Sequence, residues 1–340
     1  MNAKELETVA EALVAEGKGI LAADESTGTI KKRLDGIGVE STVETRRTYR
    51  EMLFTTPDVE KFISGVILFD ETIRQEAQDG TPLPQVLRTK GIIPGIKVDT
   101  GAKELAGFAG ERITEGLDGL RERLKEYREL GAKFAKWRAV INIGAGLPTR
   151  YCMFANAHAL ARYAALCQEA GLVPIVEPEV MMTGDHDIQR CEEVTLATLN
   201  YVYSELIEHH VVLEGTLLKP NMVLPGQDSA KQASPEEVAE ATVRCFRRVV
   251  PAAVPGVVFL SGGQSPEQAT ANLNAMNALG EQPWELSFSF GRALQQTALS
   301  AWGGAAANIA TGQAAFYLRA KLNGAARYGK YSQEMEKAGG

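Results

Sequence analysis

The chain is poor in cysteine and histidine, with four of each among 340 residues. Cys152, Cys167, Cys191 and Cys245 are too widely spread for a metal knuckle or a CxxC redox pair, and a chain this long needs no covalent staples. They read as reduced core or surface thiols, which fits a reducing compartment. His158, His186, His209 and His210 form no HExxH pattern. His209-His210 reads as a helix end and Asp185-His186-Asp187 as a turn opening the next helix, so metal chemistry is not expected. Positive charge is not in surplus: 36 Lys and Arg against 43 Asp and Glu leave −7. That excludes a general nucleic-acid or anionic-membrane surface, but permits a small anion held by locally gathered cations. The 33 glycines and 14 prolines fall well short of the roughly 25–30% share that marks low complexity. The longest uncharged stretch, 293–318, contains Gln295, Gln296, Asn308, Gln313 and the Gly303-Gly304 pair, too polar for a membrane span. The opening MNAKELETVAEALVAEGKG has helical spacing and the build of neither a secretory signal nor a transit peptide, so the cytoplasm is expected.

What is present is a recurring pattern. Apolar, β-branched runs begin at Gly19 (GILAAD), Gly65 (GVILFD), Ile93 (IPGIKVD), Phe134 (FAKWRAV), Leu172 (LVPIVEPEV), Leu213 (LEGTLLKPN), Gly256 (GVVFLSGG) and Leu286 (LSFSFGRA). Most are continuous rather than alternating, as strands buried on both faces should be. Helical patterns lie between them. Residues 117–130 put Leu120, Leu124 and Tyr127 on one face. Ser234-Pro235-Glu236-Glu237 is a capping box opening a helix that turns Val238, Thr242, Cys245 and Val249 inward, and Ser265-Pro266-Glu267-Gln268 repeats the device. Trp137 and Trp284 read as packing. Alternating strand and helix without a linker predicts a single α/β domain over 1–340. Eight strands, with no GxGxxG turn after the first, predict a closed (β/α)8 TIM barrel over a doubly wound sheet.

In such barrels the working groups stand at the carboxyl ends of the strands. Those ends supply Asp24, Asp70, Lys97, Lys136 with Arg138, Glu177 with Glu179, Lys219, Ser261 with Gly262 and Gly263, and Ser289 with Arg292. Three apolar strands running straight into lysine is unusual, because lysine is almost never fully buried unless paired. Lys219, followed by Pro220, is suited to nucleophilic chemistry if desolvation and a nearby cation such as Lys136 lower its pKa. Glu177 and Glu179, two apart on one strand, should point the same way and suit acid–base work. Ser261 to Gly263, before the helix capped at Ser265, reads as a phosphate cradle completed by Gly291-Arg292. A second anion cluster joins Ser26, Thr29 and Arg33 with Lys97.

These segments resemble class I fructose-1,6-bisphosphate aldolase. LEGTLLKPNMV around Lys219 is similar to the family's active-site segment. GKGILAADEST, SGVILFDET, GIKVD, FAKWR, VPIVEPE, FLSGGQS and FGRALQ resemble the family in the same order, from about Gly17 to Tyr331. The resemblance implies a (β/α)8 barrel, a homotetramer, roles in glycolysis and gluconeogenesis, and cleavage of fructose 1,6-bisphosphate through a lysine imine without metal or other cofactor. It implies that Lys219 forms the imine and Glu177 is the acid–base, with Asp24, Lys136, Glu179 and Ser289 around the reacting carbons. Ser261, Gly262, Gly291 and Arg292 match the C1-phosphate site; Ser26, Thr29, Arg33, Lys97 and Arg138 match the surroundings of the C6 phosphate. Thr29 stands where many relatives carry serine. The ending GKYSQEMEKAGG offers no counterpart of the terminal tyrosine with which many relatives assist late proton transfer, so another group or water takes that step, or it is slow. A transaldolase-like or deoxysugar aldolase, a non-catalytic binding barrel and a zinc-dependent aldolase are the alternatives. The two phosphate clusters, the intact Lys219, Glu177 and Asp24, and the lack of a histidine cluster argue against them in turn.

Overall fold

A computed structural model describes residues 2–337. Ten strands occur among them: β1 Gly19–Ala23, β2 Ile63–Leu68, β3 Ile93–Lys97, β4 Gly101–Glu104, β5 Arg112–Glu115, β6 Phe134–Ile141, β7 Val173–Val180, β8 Leu217–Leu218, β9 Gly256–Phe259 and β10 Glu285–Phe290. Eight of them close into a parallel barrel in the order β1-β10-β9-β8-β7-β6-β3-β2, and they are the eight expected from sequence. Helices fill the connections, completing a (β/α)8 TIM barrel.

Side chains alternate along a strand, so every second residue points into the barrel. On β7 one such series runs Val173, Ile175, Glu177, Glu179; on β6 it runs Phe134, Lys136, Arg138; across β8 it runs Leu217, Lys219; from β1 it runs Ile20, Ala22, Asp24. The lower members of each series are apolar. Ile20, Ala22, Ile67, Phe134, Val173, Ile175, Leu217 and Val258 form one buried cluster with Leu6, Ala10, Leu13 and Val14, contributed by the helix Ala3–Leu13 and its cap. That helix plugs the amino end of the barrel. Each large aliphatic buried there contributes roughly 1.5–3 kcal/mol. The upper members are charged, so the same strands that build an apolar floor also carry ionic groups at the mouth.

The floor is packed tightly enough to require glycine. A Cβ on Gly95 of β3 would lie 2.3 Å from the Phe134 ring. Gly95→Ala is therefore expected to destabilise the protein by about 1–3 kcal/mol, read as a lower urea midpoint with an unchanged slope.

Several local expectations hold. Ser234 and Glu237 form the reciprocal capping box of helix Pro235–Val249. Ser265 caps Pro266–Ala278 by accepting from Gln268 N, without the reciprocal bond. Leu120, Leu124 and Tyr127 are buried on helix Leu120–Glu129, as are Trp137 and Trp284. All four cysteines are free and buried, and burial pushes the Cys152 and Cys191 thiols up to about 11. The stretch 293–318 breaks at Gly303-Gly304, both in the left-handed region, between helices Arg292–Trp302 and Ile309–Ala326. Among the described residues no helix is long and apolar enough to cross a membrane.

Two features differ from expectation. The run from Leu213 is not one strand: Leu213–Gly215 forms a 3-10 turn closed by Thr216 Oγ1 donating to Leu213 O at 2.7 Å, and only Leu217–Leu218 pairs as β8. Pro220 brings no N–H to the ladder, which fixes where that strand stops. The hairpin β4–β5 was not anticipated, because its short polar strands carry little apolar pattern.

Candidate active site

A cavity of about 520 Å³ opens at the carboxyl end of the barrel, and all fifteen residues expected at the site border it. At its base four strands bring four ionisable groups together. Lys136 Nζ lies 2.8 Å from Asp24 Oδ2 and 3.2 Å from Glu177 Oε2, while Lys219 Nζ lies 3.4 Å from Glu177 Oε1. Lys219, Lys136 and Glu177 are 3%, 4% and 4% exposed, so these contacts work in a water-poor setting. The backbone supports them: Lys219 N donates to Val176 O at 2.8 Å, pinning the nucleophile candidate to the strand that carries Glu177.

Lys136 and Lys219 do not face each other across the mouth. β7 lies between β6 and β8, so the two amines stand on either side of Glu177. Lys136 is consequently a compensated cation, shared by Asp24 and Glu177, rather than a free charge aimed at Lys219.

The charge states follow from burial against pairing. Burial alone raises the pKa of Asp24, but Lys136 and Lys219 outweigh it and hold the carboxyl well below the usual carboxylate range. Glu177 is treated the same way: burial raises it, Lys136 and Lys219 oppose, and the net direction is down. Burial disfavours the charge on Lys136, yet Asp24 and Glu177 hold its ammonium well above an ordinary lysine. The resting site thus holds two carboxylates and a fixed ammonium. Carboxyls depressed by folding contribute stability that is complete above their unfolded values, near pH 4, and lost as pH falls through their folded values. The urea midpoint is expected to fall progressively below about pH 4; a flat profile from pH 7 to 3 would contradict this charge assignment.

Around this base the polar groups divide into two sets. Ser261, Gly262, Gly263, Gly291 and Arg292 border one side. Gly262 has φ +56°, and Arg292 Nη2 donates to Gly262 O at 3.2 Å and Gln264 O at 3.0 Å, which folds the guanidinium over the glycine loop. Of the two helix amino ends nearby, the one at Gly291–Arg292 borders the cavity and the one capped at Ser265 does not. The helix amino end that faces the cavity is thus the one after β10, whereas the expectation rested on the Ser265 cap. On the other side stand Ser26, Thr29, Arg33, Lys97 and Arg138. Ser26 Oγ and Thr29 Oγ1 are 3.1 Å apart, and Arg33 pairs with Glu25. Arg138 pairs with Glu179, so both glutamates of β7 face the cavity as alternation requires. Ser289 Oγ is buried without a protein partner at the cavity edge.

The sequence reading missed Asp99 and Glu25. Asp99 accepts from Arg138 N and Gly101 N, each at 3.2 Å, and its Oδ1 lies 3.1 Å from Lys97 Nζ. It fixes the exit of β3 and the position of Lys97, and its place two residues after Lys97 was the available signal. Glu25 is buried and accepts from Gln295 Nε2 at 2.7 Å as well as pairing with Arg33. Asp70 moves the other way. It starts helix Asp70–Ile73, accepts from Tyr127 Oη at 2.9 Å, and lies outside the cavity. Tyr331 is buried, donates to Glu336 at 2.8 Å and is likewise outside the cavity. His209 Nδ1 bonds Glu205 O at the end of helix Ile188–Glu208, and Asp187 caps that helix, as the sequence suggested.

The sequence model of the family described as fructose-bisphosphate aldolase class-I matches residues 5–340. A probable fructose-bisphosphate aldolase class 1 of Xanthomonas campestris pv. campestris is 60% identical over 332 residues, covering 97% of this chain and 99% of the relative. A cytosolic fructose-bisphosphate aldolase 6 of Arabidopsis thaliana is 59% identical over 321 residues, covering 94% and 89%. Among solved structures, the fructose-bisphosphate aldolase of Plasmodium falciparum, crystallised with TRAP and a small-molecule inhibitor, superposes with a TM-score of 0.96 at 52% identity, covering 97% and 96%.

Proposed function

The chain belongs to the class I fructose-bisphosphate aldolase family, and on that premise we propose how its residues divide the work. The reaction is the reversible cleavage of fructose 1,6-bisphosphate to dihydroxyacetone phosphate and glyceraldehyde 3-phosphate, an aldehyde-lyase reaction through a lysine Schiff base. The observation that carries the residue assignment is a buried lysine, Lys219, 3.4 Å from a buried carboxylate, Glu177, at the base of a cavity with polar groups on both sides.

Lys219 attacks the C2 ketone. Ionised Glu177 takes the proton that the ammonium must shed and returns it to the C2 hydroxyl, which leaves as water and yields the iminium. Asp24, held ionised beside Lys136, accepts the proton of the C4 hydroxyl as the C3–C4 bond breaks, and the iminium takes up the electron pair. Lys136 remains charged and offsets the negative charge that both carboxylates carry. Glu179 orients Arg138, and Ser289 bonds the substrate backbone. Ser261, Gly262, Gly291 and Arg292 hold the C1 phosphate; Ser26, Thr29, Arg33, Lys97 and Arg138 hold the C6 phosphate. Two anchored phosphates fix the register of the sugar, so remote binding energy positions C3–C4 over the amine. Enamine protonation falls to a lining carboxyl or water, since Tyr331 is committed to Glu336. The single domain over 1–340 works in the cytoplasm as a homotetramer, with no metal in the aldol step and no nucleic-acid partner. Analytical ultracentrifugation should give four times the chain mass.

The two-phosphate reading is tested by steady-state cleavage in EDTA. Arg292→Ala removes a charge-assisted contact worth about 1.5–3 kcal/mol, so KM for fructose 1,6-bisphosphate should rise roughly 10–100-fold with kcat changed far less. A fall in kcat at unchanged KM would place Arg292 in the chemical step instead.

A further inference from the structure

Away from the barrel mouth, the described residues gather one further set of ligand-type side chains. His158 lies within helix Arg150–Glu169. Glu205 and His209 lie four residues apart at the carboxyl end of helix Ile188–Glu208, one turn above each other on the same face. One ring nitrogen of each histidine and one carboxylate oxygen of Glu205 fall within 4.8 Å of one another. His158 Nδ1 is 2.8 Å and His209 Nδ1 3.7 Å from Glu205 Oε2, and the two rings stand 5.0 Å apart, edge to face.

Three features make this more than a surface coincidence. Glu205 has a side-chain exposure of only 16%, and within 4.0 Å its ion-pair partners among the described residues are these two histidines, with no Lys or Arg. No guanidinium or ammonium therefore occupies the position beside this mostly buried carboxylate, and both of its ion-pair neighbours are metal-ligand side chains. Second, His209 Nδ1–H donates to Glu205 O at 2.8 Å, which leaves Nε2 as the ring nitrogen available to a metal. Metal-bound histidines are commonly oriented this way, with the non-ligating ring N–H given to a carbonyl or carboxylate. Third, the histidine side chains are 45% and 24% exposed, so an ion can reach the cluster from solvent.

We propose that His158, Glu205 and His209 form a site for a divalent transition-metal ion of the Zn²⁺ class, with two nitrogen ligands, one oxygen ligand and the remaining position open to water. Ligand bonds of about 2.0–2.2 Å separate tetrahedral donor atoms by roughly 3.3 Å, so donor atoms that lie within 4.8 Å of one another have to close by no more than about 1.5 Å. Imidazole donors select this class over Mg²⁺ and Ca²⁺, which take oxygen ligands. None of the three residues borders the active-site cavity, so the ion clips two packed helices together and takes no part in the aldol step.

The test uses the untagged full-length protein, freed of metal with EDTA and then dialysed. Titration with Co²⁺ should give visible d–d bands saturating at one equivalent, and Zn²⁺ should bleach them. Zn²⁺ should also raise Tm relative to EDTA, where Mg²⁺ does not. His158→Ala and His209→Ala should each weaken Co²⁺ binding at least about tenfold and abolish the Zn²⁺-dependent rise in Tm, while the adjacent His210→Ala keeps both. The Tm of each variant in EDTA separates loss of a ligand from loss of the fold. Absence of bands in the parent protein, equal binding in both ligand variants, or loss in His210→Ala overturns the site. Cleavage activity in EDTA should be the same in all four proteins, so this outcome and the aldolase assignment are judged separately.

Discussion

Lys219→Ala is expected to lower kcat for fructose 1,6-bisphosphate cleavage by at least about 10⁴-fold, the scale on which removal of a covalent nucleophile acts. The physical reason is the missing electron sink. Without an iminium at C2, breaking C3–C4 places the electron pair beside an unactivated ketone. Neither Lys136 nor Lys97 takes its place: Lys136 bridges two carboxylates, Asp24 and Glu177, and Lys97 is held by both the carboxylate and the carbonyl of Asp99, away from Glu177. The fold should survive, since Glu177 keeps Lys136 at 3.2 Å when Lys219 is gone. An unchanged urea midpoint with lost turnover is the expected pair of results. Lys219→Arg should be equally inactive, because a guanidinium does not shed its proton. More than about a tenth of parental kcat in either variant contradicts the role, measured against the span of rate enhancement that enzymes reach.

Lys136→Met is expected to fail differently. It removes the one ammonium that touches both Asp24 and Glu177 and leaves two buried carboxylates with Lys219 alone to offset them. Breaking a buried pair costs about 3–5 kcal/mol, so this variant should lose stability where Lys219→Ala does not. One carboxyl would take up a proton, as like-charged groups sharing a site do. Its folded pKa then lies above the unfolded value, and its contribution to stability is present at low pH and lost as pH rises through the folded pKa. The parent protein has the opposite sign, because its carboxyls are depressed. The destabilisation measured at pH 7 should therefore exceed that at pH 5. Turnover should fall by roughly 10²–10⁴-fold as one acid–base group is held in the wrong state. A variant equally destabilised at both pH values would show that Lys136 acts through packing rather than charge.

Much of this arrangement was legible before any coordinates. All eight barrel strands carry buried apolar runs, and the rule that functional groups follow such strands picked out Lys97, Lys136, Glu177 and Lys219 from sequence position alone. Alternation along β7 also foretold that Glu177 and Glu179 share a face. Three things were not readable. Chain order already places β7 between β6 and β8 in a barrel, but side-chain reach, which that order does not give, decides that both lysines meet Glu177 and that Lys136 also reaches Asp24. The spacing of Asp99 from Lys97 was a signal passed over, but its bond from Arg138 and the bond of Glu25 from Gln295 join distant partners that no local spacing encodes. Asp70 obeyed the strand-end rule yet became a helix-start residue bonded to Tyr127, because the chain turns into helix Asp70–Ile73 before its carboxylate can reach the mouth. Position at a strand end nominates a residue; the geometry of the following turn decides whether it arrives.

The most direct measurement traps the covalent intermediate. The parent protein is incubated with dihydroxyacetone phosphate in EDTA, reduced with borohydride, digested, and mapped by mass spectrometry. One stable adduct per chain on Lys219, absent in Lys219→Ala and reduced in amount by Glu177→Gln, is the predicted result. An adduct on Lys136 or Lys97, or no adduct while EDTA-treated protein still cleaves the sugar, would contradict the account.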